Sequence, residues 1–147
     1  ILVGEIRDSE TAITAVEAAL TGHLVLTTLH TRNAWQAIIR LKQLGISEDL
    51  IANSLRAVIA QRLCRTICTR CHGRSCEHCN AGYLGRVGVF EYLPLCDNIS
   101  RHLLDKTPLP ENFVKAFSFK HDIERKLASG IVDAAEIDRV FGAGFVS

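Results

Sequence analysis

The chain has 147 residues, 48% of them apolar and only 6% aromatic, with a formal net charge of +1. That length holds one domain with a sizeable core, or a core plus a small appendage, and the aliphatic bias suits an α/β core rather than a disordered chain. Near-neutral charge without a polybasic run argues against nucleic acid as a partner, and no apolar stretch reaches the length of a membrane span.

The predicted elements begin with a buried strand, Ile1-Leu2-Val3, that runs into the charged turn Gly4-Glu5-Ile6-Arg7-Asp8. Short apolar runs that end in glycine and then charge fit the strand ends of a parallel sheet, where open α/β folds collect their ligands. Asp8 or Ser9 caps a helix with Ala12, Ile13, Val16, Ala19 and Leu20 on its apolar face, ended by Gly22. Leu24 to Leu29 reads as a second strand between His23 and His30. Two helices follow. Asn33 to Leu44 carries Ala37, Ile38, Leu41 and Leu44 on one side, and the next is capped by Ser47 and carries Leu50, Ile51, Leu55 and Val58.

Ile59 to Ile67 alternates as a strand, and the β-α-β-α order with short connections predicts a parallel sheet covered by helices. After the segment Cys68 to Cys79, Arg86 to Leu93 resumes as a strand and the remainder reads as helical. There Asn98 caps a short helix and Pro108 and Pro110 break the chain. Asp133 with Glu136 forms a capping-box pattern for a last helix ending at Gly142.

Several of these residues carry chemistry. Glu5, a carboxylate at a strand end, can orient the water that attacks a phosphoanhydride or hold Mg²⁺ through water; the plainer reading is a solvated turn glutamate. Arg7 and Arg40 offer guanidinium groups that stabilise charge on a transferring phosphoryl group, although surface arginines are common. His23 and His30 stand an odd number of residues apart, so a straight strand puts them on opposite faces and they do not form one metal pair. Each can touch a γ-phosphate from a strand end, or serve as a satisfied core or cap group.

Cys68, Cys71, Cys76 and Cys79 follow C-x2-C-x4-C-x2-C, the usual arrangement of a structural zinc, which leaves no open coordination position for catalysis. A disulfide pair suits an enzyme-like chain poorly, an iron-sulfur cluster is the lesser metal alternative, and His72 or His78 stands by to replace a thiolate. Cys64 and Cys96 read as small buried apolar residues. Arg62 and Arg86 lie on the strands that enter and leave the cysteine segment, where strand-edge charge is the plain reading.

The runs Ile1-Leu2-Val3-Gly4-Glu5-Ile6-Arg7-Asp8 and Thr21-Gly22-His23-Leu24-Val25-Leu26-Thr27-Thr28-Leu29-His30-Thr31 resemble the Walker B and His boxes of the type II secretion and type IV pilus assembly ATPases. The likeness continues through Gln61-Arg62-Leu63, the cysteine pairs and Gly85-Arg86-Val87-Gly88-Val89-Phe90-Glu91. It implies an α/β fold in which residues 1–67 are the second half of a RecA-like P-loop ATPase core. Residues 68–82 are then a tetracysteine zinc module, and 83–147 a strand with a mostly helical C-terminal subdomain.

It further implies that Glu5 is the Walker B acidic residue, as general base or metal-side carboxylate, and that His23 and His30 form the His box with the second nearer the phosphate. Arg7 and Arg40 are placed at the nucleotide or across a subunit interface, and Arg86 and Arg62 toward the nucleotide. The implied cofactors are ATP with Mg²⁺ and a structural Zn²⁺. The implied partners are further copies in a hexameric ring, with inner-membrane platform and cytoplasmic-domain proteins of a secretion or pilus system. The place is the cytoplasm, peripheral at a bacterial inner membrane, and the tetracysteine favours secretion or pilus extension over retraction.

Two positions depart from the family: Arg32 stands where Asn is common, and the middle cysteine loop is short. The chain opens inside a predicted strand, has no methionine and no G-x-x-x-x-G-K-[ST] phosphate loop. We therefore expect a piece of a longer motor, inactive toward ATP by itself. The alternative from another class is a zinc-stabilised module that docks on an inner-membrane platform protein.

Overall fold

Helix starts in this chain are written locally, by side chains that accept from the first turn. In the computed structural model, which describes residues 1–105, 107 and 118–145, Asp8 accepts from the Thr11 N–H at 2.8 Å and starts α1 (Ser9–Leu20). Asn33 does the same for α2 (Ala34–Gln43) through the Gln36 N–H at 2.8 Å, and Ser47 for α3 (Glu48–Ser54). Each such cap satisfies a donor that the helix cannot, worth about 1 kcal/mol. The remaining elements are β1 (Leu2–Val3), β2 (Leu26–Thr27), β3 (Ala57–Ile67), β4 (Tyr83–Pro94), α4 (Asp97–Leu104), α5 (Phe119–Ala128) and α6 (Ala134–Phe141).

The strands form two separate pairs. β1 and β2 run parallel, with Leu2 opposite Leu26 and Val3 opposite Thr27, and β3 neighbours β4 in a second two-stranded sheet. The single parallel sheet expected from element order therefore does not form among the described residues: the two long strands that flank the cysteine segment pair with each other. The chain divides into two compact units. One comprises the described parts of Ile1–Ala60 and Tyr92–Glu111, the other those of Gln61–Glu91 and Asn112–Ser147.

In the first unit α3 packs on α1, α2 and α4. Ala37, Ile38, Leu41 and Leu44 are all buried, as the helical spacing predicts, and Ile38 and Ile51 are fully so. A fully buried side chain of this size contributes about 1.5–3 kcal/mol. The apolar face of α1 differs from expectation. It packs through the small residues Ala12, Ala15 and Val16, and leaves Ile13 and Leu20 exposed.

β1 also departs, with Leu2 80% exposed, because no third strand flanks the β1-β2 pair among the described residues. α3 stops at Ser54, so Val58 belongs to β3. α4 takes Cys96 as its N-cap, without a side-chain capping bond, so Asn98 lies inside the helix rather than at its start. Cys96 is exposed, unlike the buried Cys64. Pro108 and Pro110 fall outside the described residues.

The second unit buries Cys64, Val89, Ile123, Val132 and Ile137. Ser118 caps α5, and Asp133 caps α6 by accepting from the Glu136 N–H at 2.8 Å. Gly142, at φ +100°, ends α6 in a conformation that favours glycine. Among the described residues no helix is long and apolar enough to cross a membrane.

Candidate functional site

Because β1 and β2 are parallel, the turn after Val3 and the segment after Thr27 leave the sheet at the same end. That brings together residues far apart in sequence. Arg7 Nε donates to Glu5 Oε2 at 2.7 Å and its Nη2 lies 2.6 Å from the same oxygen. His30 Nε2 stands 3.0 Å from Glu5 Oε1. From α2, Arg40 Nη2 donates to the main-chain oxygen of Arg7 at 3.2 Å. Glu5, Arg7, His30 and Arg40 thus converge from the turn, the β2 exit and α2.

His23 goes elsewhere. Its Nδ1 lies 3.2 Å from the Ala18 carbonyl and 3.3 Å from the Thr21 hydroxyl, at the end of α1. Arg32 N–H donates to Gln36 Oε1 at 3.3 Å, at the start of α2.

The Glu5 side chain is 19% exposed, whereas Arg7 and His30 face solvent. The hydrogen bond from Arg7 holds the Glu5 carboxyl below the usual range, against the cost of burial and with added help from the charges of Arg7 and His30. Such a group is an ionised carboxylate at neutral pH. Beside guanidinium and imidazole donors it can orient water, hold a divalent cation and balance phosphate charge. The sequence reading missed Thr28, whose hydroxyl donates to the Gly4 carbonyl at 2.6 Å and whose own carbonyl accepts from the Ile6 N–H at 3.1 Å.

In the second unit Arg62 Nη1 donates to the Gln61 carbonyl at 2.9 Å, and its guanidinium lies 5.9 Å from the centroid of the Phe119 ring. Arg86 is exposed on β4.

Between β3 and β4 the four cysteine sulfurs all lie within 4.8 Å of one another. Cys68 to Cys76 is 3.9 Å, Cys71 to Cys79 3.7 Å and Cys76 to Cys79 3.6 Å. Four thiolates at the usual zinc–sulfur distance stand about 3.8 Å apart in a tetrahedron, so the donor set and its spacing fit zinc. His72 is exposed and His78 pairs with Glu77 at 3.2 Å, so neither joins the cluster.

The backbone turns tightly to make this. Gly82, at φ +89°, lies so close to Gly73 that an added Cβ would meet its carbonyl carbon at 2.8 Å, and Cys68 N–H donates to the Gly82 carbonyl at 2.8 Å. The Cys71 N–H draws the Cys68 thiol down to about 7. For Cys76 the His78 N–H favours the thiolate, but burial and the thiols of Cys79, Cys71 and Cys68 prevail and push it up to about 11.

A second residue set went unread. Glu136 is fully buried and accepts from the Arg65 main-chain N–H at 2.7 Å, Arg65 Nε at 2.8 Å and Arg139 Nε at 2.7 Å. Arg65 stacks 4.1 Å from the Tyr83 ring centroid, and the Tyr83 hydroxyl donates to Asp133 at 2.8 Å. The capping-box spacing pointed to Glu136 as a helix-start residue and did not reveal its ties to β3.

The family described as Type II/IV secretion system protein matches residues 1–139. The chain is 46% identical to the Protein transport protein HofB homolog of Haemophilus influenzae, over 97% of this chain and 28% of that protein. It is 42% identical to the Type II secretion system protein HxcR of Pseudomonas aeruginosa, over 95% of this chain and 33% of that protein. It therefore spans about a third of the length of these curated relatives.

Among solved structures it resembles the pilus retraction motor PilT with bound ADP, at a TM-score of 0.73 and 28% identity over 92% of this chain and 37% of that one. The Legionella pneumophila ATPase DotB gives 0.69 and 28%, over 95% of this chain and 37% of that one. The fold is thus α/β and ATPase-like. With its family match over most of its length, the chain belongs to the Type II/IV secretion system protein family, which includes the ATPases of type II secretion and type IV pilus assembly.

Proposed function

We propose that this chain is the part of a longer motor ATPase that positions the attacking water and reads the γ-phosphate, within the second half of a RecA-like core. The observation that carries the reading is the meeting of Glu5, Arg7, His30 and Arg40 at one end of the β1-β2 pair. Glu5, kept ionised, is a weak base but a good holder, so it orients water or supports Mg²⁺ through water. Bound Mg²⁺ supplies charge neutralisation at the phosphates. His30 contacts the γ-phosphate, and Arg7 and Arg40 stabilise its developing charge in cis or across a subunit interface.

His23 completes the His box from the end of α1, and the family resemblance supports Arg62 and Arg86 as nucleotide-binding residues. Cys68, Cys71, Cys76 and Cys79 hold a structural Zn²⁺, in agreement with their spacing. Residues 1–67, 68–82 and 83–147 serve as core, zinc module and C-terminal subdomain.

The motor works as a hexameric ring in the cytoplasm, peripheral to a bacterial inner membrane, on platform and cytoplasmic-domain proteins of a secretion or pilus-extension system. The names of its relatives, type II secretion and protein transport proteins, support that setting. The chain alone lacks the phosphate loop and does not turn over ATP.

Phosphate release from ATP by the full-length motor tests this reading. Turnover is expected in the wild type and is lost when Glu5→Gln, Arg7→Ala and His30→Ala are combined. Turnover at the wild-type rate in that variant would leave only a zinc-stabilised docking role.

A further inference from the structure

The main-chain bonds of the β1-β2 pair follow one parallel register, and the bond just beyond the pair departs from it. Ile1 N donates to the Leu24 carbonyl at 2.8 Å and Leu26 N–H donates to the Ile1 carbonyl at 3.0 Å. Leu2 and Val3 then stand opposite Leu26 and Thr27. Donors on a parallel strand recur every second residue, so continuing this register assigns the Thr28 carbonyl to the Glu5 N–H. The Ile6 N–H takes it instead, at 3.1 Å.

One extra residue has been admitted between Val3 and Ile6, as in a β-bulge, a device that re-aims a side chain at the end of a ladder. Ile6 takes the place in the ladder that Glu5 would hold, and is 4% exposed. Glu5 is released to meet Arg7 and His30. The Thr28 side chain closes the slip: its hydroxyl donates to the Gly4 carbonyl at 2.6 Å. Thr28 therefore grips the turn on both sides of Glu5, through the carbonyl before it and the N–H after it, and the segment that leaves β2 carries His30 two residues further on.

We propose that Thr28 is a positioning residue for the Glu5 carboxylate, its hydroxyl fixing the register slip that aims Glu5 at the reacting water and sets its distance to His30. This rests on the reading of Glu5 as the carboxylate of ATP hydrolysis. A hydroxyl is needed here. Valine has the same shape but gives the Gly4 carbonyl no donor, while serine keeps the donor and loses only a methyl group.

The test uses the full-length motor with Thr28→Val, Thr28→Ala and Thr28→Ser. Loss of the hydroxyl is expected to lower kcat about 10- to 100-fold, the size of effect that a misplacement of about 1 Å produces. The KM for ATP stays near the wild-type value, and Thr28→Ser restores most of the rate. Hydrogen exchange at the Ile6 amide should quicken in the Val and Ala variants and return to the wild-type rate in the Ser variant.

Wild-type kcat in Thr28→Val and Thr28→Ala, a rise in KM without a fall in kcat, or failure of Thr28→Ser to rescue overturns the proposal. Glu5→Gln, assayed alongside, separates the two claims. If that variant hydrolyses ATP normally the reading of Glu5 fails, and unchanged Ile6 exchange in Thr28→Val then shows that Thr28 does not hold the turn either.

Discussion

Glu5 and Glu136 both face arginines, yet their surroundings give them different work. Arg7 is exposed beside Glu5, so that pair can be exchanged for a ligand at little cost. Glu136 has no exposed side-chain surface, and Arg65 and Arg139 are its substitute for water. The Arg139 hydrogen bond, with Arg65 behind it, overcomes the cost of burial and brings the Glu136 carboxyl from its ordinary 4.5 down to about 2. A depressed carboxyl stabilises the fold fully above its unfolded value and loses that contribution as pH falls through the folded one. Glu136→Gln should therefore cost about 3 kcal/mol at neutral pH, since it breaks a buried pair. The gap to the wild type should close as pH falls from 4.5 toward 2. Urea unfolding at pH 7 and at low pH checks this, and a gap that does not narrow contradicts it.

At the scale of elements, the cysteine knuckle is set by backbone as much as by sulfur. Gly82 passes so close to Gly73 that no side chain fits, and its φ of +89° disfavours one in any case. Gly82→Ala should therefore lower the bound zinc per chain, measured by atomic absorption, to nearly the level of Cys71→Ser. Full zinc content in Gly82→Ala would show that the cluster does not need this approach. The C-x2-C pairs were legible in the sequence because their spacing is local, and the caps at Asp8 and Ser47 were legible for the same reason. The buried face of α1 was not. Hydrophobicity alone ranks Ile13 and Leu20 above Ala12 and Ala15, but close packing selects the small residues. The register slip at Gly4–Ile6 left no mark either, since a bulge changes which N–H meets which carbonyl and not the composition of the strand.

For the molecule as a whole, the sequence carried the residues of the cluster but not their partnership. Glu5 and His30 lie on separate elements, and only the parallel pairing of β1 with β2 brings them to 3.0 Å. The resemblance of the two boxes named both residues. It also named His23, whose ring the fold holds at the end of α1. The pairing of β3 with β4 was hidden because each strand was legible while its neighbour was not.

Whether Glu5 acts in the chemical step is decided by Glu5→Gln in the full-length motor, with nucleotide binding, ATP turnover and zinc content measured on one preparation. Binding and zinc are expected to persist while turnover falls by at least about 100-fold, the size of a lost acid–base contribution. Undiminished turnover with the same binding and zinc would contradict it and return Glu5 to the status of a turn residue.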